Sequence, residues 1–215
     1  MNRIIVFALM FFCMTMQIEA QTLSEEEVTA KMYQAFELNK AAKKAEALEL
    51  FLIVGENTKQ QRNEGERQVY VCSQTMACQC YELLGRYKEG YLLGKSLLQG
   101  KLNDTERKDV GHLYAMNGYM YACEFIQRDE KGRADYKRGR ELISEILPYS
   151  DGQVKEYAET KIPLSWYFEG AQYAMTQSYD EALSSYEEAL NGFRDLGRVS
   201  EEVDVLSGIA SVKAH

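Results

Sequence analysis

WYFEGAQYAMTQSYDEALSSYEEAL, residues Trp166 to Leu190, reads as two antiparallel helices that must approach closely. Gly170 and Ala182 are small where the two backbones meet, while Trp166, Tyr173, Tyr186 and Leu190 supply bulk between them. Ala189 leaves room for the next helix to pack. Small residues at a helix contact cannot be enlarged without pushing the helices apart, so their placement carries the reading.

Working outward, the design recurs. YELLGRYKEGYLLGKSLL, Tyr81 to Leu98, has Gly85 before Tyr87 and Gly90 at the position Ala182 fills later, with Cys78 standing where Gly170 stands. Another copy carries Gly118 and Tyr121 in its first helix and Tyr136, Gly139, Ile143 and Ile146 in its second. The polar insert Arg128 to Arg133 lengthens its turn, and Pro148 ends it because proline lacks an amide donor. Upstream, Val28, Met32, Ala35, Phe36 and Leu38 fall largely on one helical face, and a second periodic run, Ala47 to Val54, follows the Lys43-Lys44 corner. Ser24 with Glu25, Glu26 and Glu27 predicts a capped helix start. The close-contact residues Ala47, Gly90, Gly139 and Ala182 are spaced by about 43, 49 and 43 residues, so the first helices are long, and Pro163 is expected to bend one of them locally.

At its Trp, Gly, Tyr, Ala, aromatic and Ala positions the opening stretch resembles the tetratricopeptide repeat, with Arg194 where that family's closing proline would stand. The resemblance implies an all-α fold, an α-solenoid (right-handed superhelix) of helical hairpins at about 24–58, 65–100, 105–148 and 152–195, with a terminal helix over 200–214. In that last segment Leu206 to Ala210 resembles the first helix of a further repeat, with Gly208 matching Gly170. It reads either as the front of a longer protein or as a capping helix in which Val203, Leu206, Ile209 and Val212 shield the apolar end of the array.

Composition agrees with a folded helical chain. Of 215 residues, 46% are hydrophobic and 27% charged, and two prolines stand against 15 tyrosines, which disfavours an all-strand sandwich. Residues 1–20 read as a signal peptide: a charged tip at Arg3, an apolar run from Ile4 to Met14, and Ile18-Glu19-Ala20 before a cut at Gln21. A run of about a dozen apolar residues falls short of the roughly 20 a membrane helix needs. The residue directly after the cut is Gln21 rather than cysteine, which argues against a lipid anchor. Losing the leader removes Arg3 and Glu19, one charge of each sign, so the mature chain keeps a formal −8 and lacks the basic footprint that nucleic acid requires.

The chain carries no Gly-rich phosphate loop, GxSxG elbow or HExxH, and its two histidines, His112 and His215, offer little for a triad or metal cluster. No cofactor, metal or catalytic residue is expected, and the chain is read as a non-enzyme. Cys78 and Cys80 lie two apart on a helix and point to different faces, so they read as small apolar filler. The alternative is one bridge from Cys78 or Cys80 to Cys123.

The resemblance places a ligand groove on the first helices. Carried over residue by residue, it falls on Met32 and Phe36, then Thr75, Gln79 and Glu82, then His112, Ala115 and Tyr119, then Tyr167, Ala171 and Met175. Phe36, Gln79, Glu82, Tyr119, Tyr167, Ala171 and Met175 form the candidate site, suited to an extended peptide or a partner helix. Met32 and Phe36 stand where chaperone-binding members clamp a carboxylate, so that mode is not implied. The implied function is an exported, periplasmic interaction or sensory module, similar to the sensor regions of bacterial histidine kinases and two-component regulators, where a membrane helix and signalling domains follow. The competing expectation is a free-standing periplasmic scaffold for envelope assembly or peptide binding. Self-association through the terminal helix is a further expected contact.

Overall fold

Ser24 opens the first helix of the computed structural model, which describes residues 23–127 and 134–215. Its hydroxyl accepts from the Glu27 amide at 3.2 Å, and the Glu27 carboxylate accepts from the Ser24 amide at 2.8 Å, so the expected capping box is present. The proposed leader and the Arg128 to Arg133 insert lie outside the described residues. The helices are α1 (Glu25–Lys40), α2 (Lys44–Thr58), α3 (Glu64–Leu83), α4 (Tyr87–Leu98), α5 (Asp104–Ile126), α6 (Tyr136–Ile146), α7 (Gly152–Met175), α8 (Tyr179–Asp195) and α9 (Val199–Lys213). One 3-10 turn, Leu147–Tyr149, follows α6. Among the described residues all regular structure is helical, so the chain is all-α. No described helix is long and apolar enough to cross a membrane.

One turn recurs four times. The amides of Lys43, Arg86, Ser178 and Arg198 donate to the carbonyls of Leu38, Tyr81, Tyr173 and Phe193 at 2.9, 2.9, 3.0 and 2.9 Å, closing the same six-residue loop after α1, α3, α7 and α8. The residue before each donor is left-handed: Ala42 at φ 61°, Gly85 at 69°, Gln177 at 63° and Gly197 at 65°. Glycine adopts that conformation without a Cβ clash, whereas alanine and glutamine hold it at a cost of about 1 kcal/mol. A turn this short sends the next helix back along the previous one.

The chain forms two compact units, residues 1–70 and 71–215, with the boundary inside α3. In the first, α1 packs on α2, burying Ala35, Ala47, Phe51 and Val54 completely. Phe36 meets Phe51 edge-on, with ring centroids 5.4 Å apart. In the second, each of α4 to α8 packs on the next, and α5 also touches α7, as α7 touches α9.

Small residues line the seam between the helices of each pair in the second unit. A Cβ on Gly118 of α5 would lie 2.5 Å from Ile146 of α6, and one on Gly170 of α7 would lie 2.8 Å from Tyr186 of α8. Pro163 sits inside α7, which continues through it, and its ring fills the space that Gly192 of α8 leaves open. The last helix departs from the expected register. Gly208 faces the Tyr186 ring of the preceding helix, 2.9 Å from where its Cβ would be, so it does not take the role of Gly170. Ala210 stands four residues after Leu206 as Gly170 stands four after Trp166, and it is the better equivalent. Of the four residues expected to cap the array, Ile209 and Val212 pack with Val205 against the α8 core, whereas Val203 and Leu206 are exposed.

Candidate functional site

Val28, Met32 and Phe36 recur every fourth residue along α1, which places them in one stripe. With Tyr33 and with Val69 of α3 they line a depression of about 280 Å³ in the first unit. A neighbouring hollow of about 290 Å³ shares Val28, Thr29 and Val69 and is walled by Leu23, Asn57, Arg62 and Asn63. The two make a continuous trough, apolar along α1 and polar at one end. Tyr33 is 71% exposed at its rim, a large hydrophobic surface left in water.

The polar end is held by local bonds. The Leu23 amide donates to Asn57 Oδ1 at 3.0 Å, and Arg62 donates its backbone amide and its Nε to the Glu66 carboxylate at 2.9 Å each. Those hydrogen bonds keep the Glu66 carboxyl below the usual range.

In the second unit, a cleft of about 370 Å³ is lined by Lys95, Leu98, Gln99, Tyr114, Glu145 and Tyr149. Glu145 of α6 is its centre: Lys95 Nζ and the Tyr114 hydroxyl each reach Oε1 at 2.7 Å, and the Tyr91 hydroxyl donates to Oε2 at 2.9 Å. The Tyr91 and Tyr114 rings stack at 5.3 Å. Burial pushes the Glu145 carboxyl up, but the bonds from Lys95, Tyr114 and Tyr91 outweigh it and leave it below its ordinary value. Burial, followed by the bond to Glu145, pushes the Tyr114 hydroxyl well above its own. The carboxylate therefore clasps α4 and α5 to α6, and its donors are already spent on that task.

This clasp has a pH dependence. A carboxyl depressed in the folded state contributes fully above its unfolded pKa and loses that contribution as pH falls through its folded value. Unfolding temperature should therefore drop on acidification below about pH 4.3, and Glu145→Gln should flatten the drop. The side chain is 37% exposed, so the effect is a partial flattening. Thermal melts of both proteins across the acid range check this, and parallel curves would show that Glu145 is not the group responsible.

The residues expected in the groove are dispersed in their roles. Phe36 lines the trough, with Met32 beside it. Gln79 is exposed and Glu82 half-buried, its carboxyl raised by burial and pulled back by His112, whose Nδ1 lies 3.0 Å from Asp151 Oδ1. Tyr119 stacks on Tyr157 at 6.3 Å. Tyr167 touches Tyr186 at 5.8 Å and, with Ala171, packs against the α8 core. Met175 is 75% exposed. Ala115, read as a groove position, has no exposed surface and belongs to the core that α5 shares with α4, α6 and α7. Tyr33, Thr29 and Val69 were not singled out from the sequence, although Thr29 and Tyr33 sit four apart beside the Val28 stripe.

Cys72, Cys78, Cys80 and Cys123 form no disulfide among the described residues. Cys78 is 1% exposed, with its Sγ 3.7 Å from the Gly90 carbonyl oxygen, so it fills the close contact that Gly170 makes elsewhere. Burial pushes its thiol up to about 12, which leaves little thiolate at neutral pH. Among the described residues no group of three or more His, Cys, Asp or Glu side chains is placed to hold a metal ion. No protein-family model and no curated protein sequence matches this chain.

Proposed function

We propose that the chain is a tetratricopeptide-like α-solenoid that works by binding alone, holding a peptide or a partner helix on the face made by its first helices. The observation that carries this reading is the trough along α1, whose apolar wall contains Met32 and Phe36, two positions at which the family's groove is expected. The recurrence of one turn after α1, α3, α7 and α8 supports the repeat architecture. A trough with aromatic and thioether side chains suits a guest that presents apolar side chains at regular intervals, because such walls give large contact area and adaptable packing. The module acts outside the inner membrane, in the periplasm, as the sensing part of a signal-transduction receptor. A leader at residues 1–20 and the likeness of the hairpins to exported sensor regions support that placement.

Panning a random peptide library on the purified chain, then measuring the selected peptide on variants, tests the binding reading. Tyr33→Ala is expected to weaken the dissociation constant about tenfold or more, as loss of a tyrosine anchor does. Tyr33 is mostly in water, so the fold should survive the change. Met175→Ala should leave binding unaltered. Loss at Met175 with none at Tyr33 would move the site to α7 and end the case for the trough.

A further inference from the structure

Asp151 stands where it could cap α7 and does not. The backbone at Ser24, Asn103 and Asp151 is extended, with φ −66°, −74° and −136° and ψ 160°, 173° and 169°, as a helix N-cap requires. Ser24 and Asn103 accept from the third amide of their helices, and Asp135 does the same for α6. Asp151 precedes α7 with the same kind of backbone, yet no side chain caps the α7 amides. Its carboxylate is turned to α5 instead, where Oδ1 lies 3.0 Å from His112 Nδ1.

The two positions open to this carboxylate are close in strength. The His112 and Asp151 side chains are 47% and 59% exposed, so solvent screens their attraction to a size comparable with one capping bond. In the capping position the carboxylate would also meet the positive end of the α7 dipole. The balance is therefore set by the charge on the imidazole, and histidine is the side chain whose ordinary titration falls between about pH 5 and 8. An imidazolium holds the carboxylate by charge as well as by a hydrogen bond. A neutral ring has no charge and donates from Nδ1 in only one of its tautomers. Gly152, next to Asp151 at φ 48°, has no Cβ to resist a change of backbone as the side chain turns.

Other charges around His112 are few. Glu82 of α3 is near enough to feel it: burial pushes the Glu82 carboxyl up, and the His112 charge pulls it down. On α5 itself Lys108 and Asp109 stand one turn before His112. Lys155 of α7 pairs with Glu159 at 3.8 Å. Lys95 of α4 and Glu145 of α6 meet at Tyr114, which points to another side of α5, and the Tyr149 ring of the 3-10 turn lies against Tyr114 and Gly111.

We propose that Asp151 is a proton-operated latch between α5 and α7. With His112 protonated, its carboxylate holds α5. With His112 neutral, it turns back, accepts from the Val154 amide and caps α7. The latch links two of the first helices, and it does not depend on what the α1 trough holds.

Amide hydrogen exchange at Val154, read by NMR on the full chain exported by an expression host, tests the latch. At about pH 8 the amide should exchange roughly fivefold slower in the parent than in Asp151→Ala, the factor that one capping bond supplies. At about pH 5 the two rates should agree. Comparing the chains at one pH removes the intrinsic dependence of exchange on hydroxide. In His112→Phe no imidazole competes for the carboxylate, so the protection should be present at both pH values and should vanish when Asp151→Ala is added. Both residues are exposed, so circular dichroism should be unchanged in every variant. A ratio of parent to Asp151→Ala rates that is the same at the two pH values overturns the proposal, as does a ratio that still changes with pH in the His112→Phe background.

Discussion

Replacing Gly139 with leucine is expected to lower the unfolding free energy by about 3 kcal/mol, the upper end of the usual cost of overpacking. A Cβ at that position would lie 2.5 Å from Ile126 Cγ1, 3.0 Å from its Cδ1 and 3.2 Å from the Ala122 carbonyl oxygen. Ile126 is 4% exposed and belongs to the core shared by α5, α6 and α7, so it has little room to retreat. The Ala122 oxygen is backbone and can move only if α5 moves. The remaining carbons of leucine would enlarge the conflict and wedge α6 away from α5. Gly139→Ala should cost less, because a single methyl group is partly offset by alanine's better helix propensity, worth about 1 kcal/mol over glycine. Urea denaturation measures both, with Glu188→Gln on the exposed face of α8 as a reference expected to stay within about 0.5 kcal/mol. An unshifted midpoint for Gly139→Leu would mean that α5 and α6 do not approach at this residue.

Ala182, at 0% exposure, and Gly139 show why so much of the fold was legible. A small residue repeated at one place in successive hairpins has few explanations other than a close helix contact, and it sets the register of everything around it. Ser24 and Glu27 were legible for a similar reason, since a capping box acts over three residues of sequence. Asn103 and Glu106 make the same box at the start of α5, a signal that lies outside the apolar periodicity of the helix.

What sequence left undecided was which face of a helix meets which neighbour. Gly208 and Ala210 are both small and two residues apart, and they point to different sides of α9. Only the position of Tyr186 tells them apart. Ala115 illustrates the same gap at the candidate site: a residue on a first helix is groove or core according to which neighbouring helices cover it, and that is settled only in three dimensions. The α1 trough was half legible, because Met32 and Phe36 share a stripe in sequence whereas Val69, on another helix, joins them only in three dimensions.

Arg140→Ala is the second change from which a large loss is expected, about 3 kcal/mol. Arg140 of α6 is buried beside α7, where its Nη2 donates to Glu169 at 2.8 Å and its Nη1 to the Ser165 hydroxyl at 3.3 Å. Its guanidinium also lies over the Trp166 ring, 3.4 Å from the centroid. The side chains of Arg140 and Glu169 retain only 10% and 17% of their exposure, so solvent does little to screen the pair. Removing the arginine strands the Glu169 carboxylate and strips the indole of its cation, so that most of the loss comes from an uncompensated group rather than from the missing attraction. That distinction can be measured. Arg140→Met with Glu169→Leu removes both charges and keeps the volume, and it should recover most of what Arg140→Ala loses. If the double variant is as unstable as the single one, the pair itself is what holds α6 to α7. If Arg140→Ala costs under about 0.5 kcal/mol, the pair is solvated in practice, and packing of Trp166 alone carries the contact.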